Sequence, residues 1–402
     1  MPSSDRGRRQ PRHARRGDGP AQPPPDAEVL IVGGGVAGAS AALFAAAAGL
    51  SVTLVDDPPA SDDATCYEWT NPGVWDLLRP VGVSVATKPA AVVRRLTLFD
   101  ADGRRRADVE APVPLSIVAG PALRDALRTA ARRRGVRIRH SRAIDLRPGE
   151  QSVHVRCADG SALAGRFLLL ADGASSTFLQ PLGLGATDAT CGMHCCCWTG
   201  SAPRRSAGGS RGSARAATPD ASLSLLLGTR GAMGFGYVLR FGPHVQIGLS
   251  EDAPPHELRA RFAALARSWH DRDLLTPLAA PPGDGAATVR PIPRGHALER
   301  HAHVAKRTLV IGDAGGFVAA LQQDGLYPAV WSARLAVDVL VGARQERVPQ
   351  ERLRAFDALW RAAMSDYLRP PDTEMPFLLP LIFSNPSLAA RFARSFAAGP
   401  ET

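Results

Sequence analysis

The stretch Glu28-Val29-Leu30-Ile31-Val32-Gly33-Gly34-Gly35-Val36-Ala37-Gly38, followed by an Ala-rich run to Gly49 and then Ser51-Val52-Thr53-Leu54-Val55-Asp56, decides how this chain is read. A short apolar run, a glycine-rich turn, helical Ala and Leu, and a second apolar run closed by an acid spell the order β, turn, α, β. That order is the dinucleotide-binding fingerprint. Gly33 permits the tight turn, Gly35 lets the main chain approach a pyrophosphate, and Gly38 lets the helix lie close on the strand. Free N–H groups at the helix start, on Val36 and Ala37, then face the phosphates. Asp56, with Asp57 after it, ends the second strand, where a carboxylate accepts from ribose hydroxyls. The alternative is a tight turn in some other parallel sheet. Strand, helix, second strand and terminal acid are all in register, however, and that context favours a dinucleotide site.

At 402 residues the chain is long enough for one large domain or two joined ones. No stretch of about eighteen uninterrupted apolar residues occurs, so no membrane span is expected. The formal charge is +10, carried almost wholly by arginine, with Lys88 and Lys306 the only lysines. The excess is spread along the chain, which argues against nucleic acid as a partner. Residues 1–26 mix Arg, Pro, Gly and Ser and are expected to be disordered. Their Arg15-Arg16 pair precedes no separate apolar segment, so export is not expected. Six cysteines make no disulfide scaffold in a chain this long, and a reducing cytoplasm is the expected location.

Further along, Val92 to Phe99 reads as a strand, Pro121 to Arg133 as a helix, Val153 to Leu170 as a hairpin, and 202–222 as a flexible Gly/Ser/Arg stretch. Three strand candidates follow in close succession, Leu223–Leu227, Phe235–Phe241 and Val245–Leu249. Pro255 to Trp269 is an amphipathic helix, and Thr308 to Ile311 is a strand that runs into Gly312-Asp313-Ala314-Gly315-Gly316. The expected fold class is α/β, a Rossmann-like nucleotide-binding domain with an inserted antiparallel-sheet substrate domain and a helical C-terminus. The first takes 27–185 and 290–345, with some sheet of the second in 90–120; the second is mainly 186–289; the helical region is 346–402.

Three turns stand at strand ends beside a glycine or a carboxylate: the opening loop, Asp172-Gly173 and Gly312-Asp313. Open α/β sheets bind their ligands at that edge. In this order and spacing the chain resembles the two-domain FAD-dependent oxidoreductases built like aromatic hydroxylases, flavin halogenases and geranylgeranyl reductases, from about Ala27 to beyond Leu340. The resemblance implies FAD, with Asp56 on the adenosine ribose, Asp313 on the ribityl chain, and Glu68, Arg124 and Asp172 close to the cofactor. It also sets the loop Leu321-Gln322-Gln323-Asp324-Gly325 at the pyrimidine edge of the flavin. A helix starting near Gly325 and Leu326 would aim its positive end at the anionic reduced flavin.

The stretch Gly234-Phe235-Gly236-Tyr237-Val238-Leu239-Arg240 falls where the reductases carry a GYxWxFP-like strand and tryptophan halogenases carry WxWxIP. Tyr237 stands for a Trp and Arg240 for the Pro. Val92-Val93-Arg94-Arg95-Leu96 carries arginine where such halogenases place a catalytic lysine, and a guanidinium that stays protonated does not take that role. Halogenation is therefore disfavoured. Of a GES-like flavin loop, Cys66-Tyr67-Glu68-Trp69 keeps only the Glu, and Gly120 stands where relatives have an arginine upstream of Arg124. Two enzyme readings follow from the resemblance. One is a monooxygenase hydroxylating an organic substrate through a flavin hydroperoxide; the other is a flavin reductase of C=C bonds. A prenyl-binding chaperone without flavin is the non-enzymatic reading, against which the intact Gly33, Gly35, Gly38, Asp56 and Asp313 count. The substrate is a small molecule or a carrier- or protein-bound group, in specialised metabolism or the maturation of another molecule. Electrons arrive from transiently bound NAD(P)H or from a partner flavin reductase, and no second nucleotide fingerprint is visible.

Tyr237, Arg240 and His194 are the candidate catalytic residues, the first two on a strand expected to wall the substrate. The run Cys191-Gly192-Met193-His194-Cys195-Cys196-Cys197-Trp198 invites a metal reading, because Cys and His are zinc ligands. On a strand, though, Cys191, Cys195 and Cys197 point one way and His194 and Cys196 the other. No metal site is expected, and small buried thiols are the alternative. His301 and His303 read as surface polar residues. The apolar face of the C-terminal helices, Phe377 to Phe383 included, is expected to pack on the core.

Overall fold

The computed structural model describes residues 25–57, 67–83, 90–185, 193–201, 220–230, 234–272, 274–275, 280–283, 287–346 and 348–398. The N-terminal tail to residue 24, Cys66, Cys191 and residues 202–219 of the expected flexible stretch lie outside them. Residues 220–222 belong to a strand rather than to a linker.

The first sheet grows from the opening fingerprint. Strand β1 (Ala27–Val32) pairs in parallel with β2 (Val52–Asp56), Val29 opposite Val52, and with β9 (Ala162–Leu170), Val29 opposite Phe167. Such continuous apolar runs are what a sheet buried on both faces requires. β6 (Arg137–His140) extends it in parallel beyond β2, and β16 (Thr308–Val310) beyond β9, with β15 (Val304–Ala305) at that edge. β7 (Ala143–Pro148) and β8 (Val153–Cys157) join antiparallel to β9. On one face, α1 (Val36–Ala47), α3 (Gly120–Arg133), α6 (Leu326–Ala343) and α7 (Pro349–Leu368) share a core with Ile31, Leu54 and Leu169. On the other, Leu30, Val55, Leu168 and Leu170 pack with Val153 and Val155. By length and composition α6 is apolar enough to cross a membrane, with a mean hydropathy of 1.2, but it is mostly buried here, against α1 and α7.

The second sheet has the order β14-β10-β13-β12-β11-β4-β5-β3. Its strands are β3 (Tyr67–Thr70), β4 (Ala91–Phe99), β5 (Arg106–Ala119), β10 (Met193–Ser201), β11 (Asp220–Leu227), β12 (Phe235–Phe241), β13 (His244–Asp252) and β14 (Thr288–Pro291). All neighbours are antiparallel except β4 and β11. Because side chains alternate along a strand, β12 presents Phe235, Tyr237 and Leu239 to one face and Val238 to the other. The first face is covered by α8 (Met375–Ser384) and α9 (Pro386–Ala398), with Phe392 and Phe396 in the core. The second is covered by α4 (Pro255–His270) through Leu258, Phe262 and Trp269. On α8, Met375 and Ile382 pack inward while Phe377 and Leu381 stay exposed.

Candidate active site

At the carboxyl end of β1 the chain turns at Gly33, with φ +97°, and enters α1. A Cβ on Gly33 would stand 2.2 Å from the Ala171 carbonyl oxygen, and one on Gly38 1.9 Å from that of Gly33. Helix and strand are therefore in backbone contact. At Gly35, directly before α1, a Cβ would meet nothing within 4 Å. The first-turn N–H groups of Val36 and Ala37 have no carbonyl of their own helix to bond. Asp56 accepts from the Gly34 N–H at 2.6 Å and pairs with Arg128 of α3 at 2.8 Å, and Asp57 beside it is exposed. Arg124 lies one turn earlier on α3 and pairs with Asp125 at 3.5 Å. Arg128, four residues on, is the arginine that reaches Asp56, and the sequence reading did not single it out.

The other two turns converge on the same edge. Beyond β9, Asp172 keeps Oδ1 buried with no hydrogen-bond partner among the described residues, and burial pushes its carboxyl up to about 6. A buried acceptor left without a donor marks a place for a ligand donor. Beyond β16, a Cβ on Gly312 would stand 2.5 Å from the Ala37 Cβ, so this turn lies against the first turn of α1. Asp313 is pushed up to about 6 by burial. His303 lies behind this turn and is not a surface residue. Its Nε2 is 2.8 Å from the Gly315 carbonyl oxygen, its Nδ1 is 3.3 Å from Asp357 Oδ1, and the rings of Phe317 and Trp360 close over it.

A cleft is lined from the second sheet by Tyr67, Glu68, Trp69, Cys195, Cys197, Tyr237 and Arg290, and from the loops of the first by Asp313, Gln323 and Gly325. Burial pushes the Glu68 carboxyl up to about 7, reinforced by Asp313 and Asp324 and opposed by Arg290. A Cβ at position 120 would stand 2.7 Å from Glu68 Oε1, so the glycine there makes room for the acid. Tyr237 accepts from Gln246 Nε2 at 3.0 Å. The sequence signal for Gln246 is slight, a lone amide in an apolar strand. Behind Tyr237 and Trp69 the space is filled by Phe235 and Phe396, whose rings pack on theirs.

The three expected catalytic residues are not brought together. Tyr237 lines the cleft; Arg240, three residues on, takes the α4 side of β12 with Val238, and does not line it. His194 also points away from Cys195 and Cys197, with Nδ1 3.1 Å from the Ala253 carbonyl oxygen. Cys196 is buried on that far face, its thiol pushed up to about 11 by burial. Among the described residues no group of three His, Cys, Asp or Glu is arranged to hold a metal.

The start of α6 departs from expectation too. Asp324 Oδ1 accepts from the N–H groups of Leu326 at 2.9 Å and Tyr327 at 3.2 Å. Its Oδ2 accepts from Thr70 Oγ1 at 3.0 Å, the Asn71 N–H at 3.0 Å and the Tyr367 hydroxyl at 2.8 Å. The helix end expected to be free for an anion already holds a carboxyl group of its own chain.

A parallel sheet with three turns at its carboxyl edge, joined to an antiparallel sheet across a cleft, defines a Rossmann-like nucleotide-binding fold. Residues 26–199 match the family described as FAD binding domain, and the chain shares its fold with FAD-dependent oxidoreductases, among them hydroxylase, halogenase and geranylgeranyl reductase-like proteins. Its cofactor is FAD. The open position at Gly35 and the unpartnered Asp172 Oδ1 fit such a group. No curated protein matches the chain. Among solved structures, a geranylgeranyl bacteriochlorophyll reductase-like protein from Thermoplasma acidophilum is similar at 16% identity and a TM-score of 0.66, over 85% of this chain and 84% of that one. CtdE in complex with FAD and a substrate is similar at 17% and 0.66, over 90% of each chain. P. aeruginosa PqsL in complex with 2-aminobenzoylacetate is similar at 18% and 0.63, over 85% of this chain and 94% of that one. At these identities the likeness is one of fold.

Proposed function

We propose that this chain is an FAD-dependent monooxygenase that hydroxylates a compact organic substrate held against the aromatic wall of the cleft. The observation that carries the reading is the closed back of that cleft. Among the described residues Phe235, Phe392, Phe396 and Met375 pack behind Trp69 and Tyr237 and leave a cavity of only about 10 Å³ between them. A reductase of long isoprenoid double bonds calls for an extended apolar channel there. Arg94 and Arg95, on the strand where halogenases carry their lysine, pair at the surface with Asp220 and Glu110, which speaks against halogenation.

In this reading Gly33, Gly35 and Gly38, with the N–H groups of Val36 and Ala37, hold the pyrophosphate, and Asp56 holds the adenosine ribose, itself steadied by Arg128. Asp57 and Arg124 flank that end. Asp172, Gly312 and Asp313 hold the ribityl chain, and Glu68, Gly325 and Leu326 meet the flavin. FAD supplies the redox chemistry, while the protein supplies position and exclusion of water. Tyr237, fixed by Gln246, orients the substrate. Electrons come from NAD(P)H, directly or through a partner reductase. The four described cysteines are free, in keeping with a reducing cytoplasm. The test is to supply the FAD-loaded protein with NAD(P)H, with and without a flavin reductase, isotopically labelled oxygen and a panel of small aromatic compounds. One labelled oxygen atom per product is expected; reduction of a double bond without oxygen uptake overturns the reading.

A further inference from the structure

α6 begins at Leu326, beside the cleft wall formed by Gln323 and Gly325. A helix start carries unpaired N–H groups and a partial positive charge, and both favour an anion. Here Asp324, 1% exposed, takes that place. Two first-turn N–H groups are bonded to its Oδ1, and three donors from elsewhere in the fold hold its Oδ2. Given FAD in the cleft, as the functional reading has it, we propose that Asp324 is a built-in counter-anion at the start of α6 and that the reduced flavin is consequently held neutral rather than anionic.

The surroundings point the same way. Glu68 and Asp313 line the same cleft, where Arg290 is the one basic side chain of the lining, so the cleft offers an added negative charge little compensation. Burial pushes these carboxyls up, Glu68 to about 7 and Asp313 to about 6; Asp324 is raised by burial and drawn back by its donors. The phenols next to Asp324, Tyr327 and Tyr367, are raised by burial and by Asp324, so they stay neutral. Reduction then takes up two electrons from the added reductant and two protons from solvent, giving the neutral dihydroflavin. With the helix start free it would take up two electrons and one proton, giving the anion.

The test is an anaerobic redox titration of the FAD-loaded full chain across neutral pH, recording the midpoint potential and the absorption spectrum of the reduced flavin. For a two-electron couple the potential falls by about 59 mV per pH unit when two protons follow and by about 30 mV when one does. The wild type is expected to show the steeper slope and the spectrum of the neutral form. Asp324→Asn is expected to show a higher potential, a slope moved toward the shallower value and the spectrum of the anion. Should that variant fail to hold FAD, Tyr367→Phe, which deletes one donor to the carboxylate, is expected to move all three readouts the same way by less. A wild type with the shallower slope and the anion's spectrum overturns the proposal, as does an Asn variant that matches wild type. A chain that takes up no FAD overturns the functional reading as well.

Discussion

Gln246 holds the hydroxyl of Tyr237 through its Nε2 at 3.0 Å and, with the same amide, both backbone polar groups of Tyr67 and the hydroxyl of Thr199. This one side chain fixes the aromatic wall of the cleft across four strands. Removing it leaves buried donors and acceptors unpaired. Gln246→Ala is expected to lower unfolding stability by about 3 kcal/mol, and Tyr237→Phe by about 1 kcal/mol. Chemical denaturation of the FAD-loaded protein checks the ranking; equal effects would mean that the amide is not the hub.

Tyr237 also lies flat on a glycine of the neighbouring strand. A Cβ on Gly248 would stand 2.0 Å from its ring. Gly248→Ala is therefore expected to cost about 1–3 kcal/mol and to displace the ring, with FAD retained. Product formation should fall while the flavin absorbance of the purified variant stays at the wild-type level.

The glycine that seats α1 on β1 carries the opposite expectation. Gly38→Ala forces a methyl group against the Gly33 carbonyl oxygen and lifts the first turn of α1. FAD affinity should fall by at least about tenfold, a loss of about 1.4 kcal/mol, as read by cofactor titration. Asp313→Ala should likewise lose FAD, and full occupancy would remove Asp313 from the ribityl role.

Glu68 gives a pH dependence with a definite sign. Its carboxyl rises from 4.5 to about 7 in the folded chain, so between those values the folded state keeps a proton that the unfolded state has released. The stability it contributes is fully present below 4.5 and is lost as the pH rises through about 7. Glu68→Gln should match wild type in acid and become the more stable of the two above neutrality. Denaturation of the FAD-free proteins over a pH series checks this, and a constant offset would contradict it.

The parts of the fold legible in the sequence are those whose signal is local. The strand, turn and helix at 28–49 announce themselves because apolar runs, glycines and alanines coincide there, and Leu223–Leu227, Phe235–Phe241 and Val245–Leu249 do so by short turns between apolar stretches. β5 was not legible: much of Arg106–Glu110 faces solvent, and prolines interrupt the stretch that follows. The pairings that build the site are long-range and leave no such trace. Asp324 reads as turn chemistry until Thr70, Asn71 and Tyr367 arrive from distant segments, and Arg128 differs from Arg124 only in which helical turn meets Asp56. His303 reads as polar surface because the rings that bury it, Phe317 and Trp360, come later in the chain. Arg240 sits beside Tyr237 in sequence but on the opposite face of β12, while His194 lies on the face of β10 away from Cys195 and Cys197, as strand alternation requires.

The most direct test of the monooxygenase reading is rapid mixing of the reduced, FAD-loaded protein with oxygen, following the flavin absorbance. A cleft that shields its contents from water predicts reoxidation in two phases, with a transient absorbing species before oxidised flavin appears. Reoxidation in one fast phase, with no transient, would contradict it.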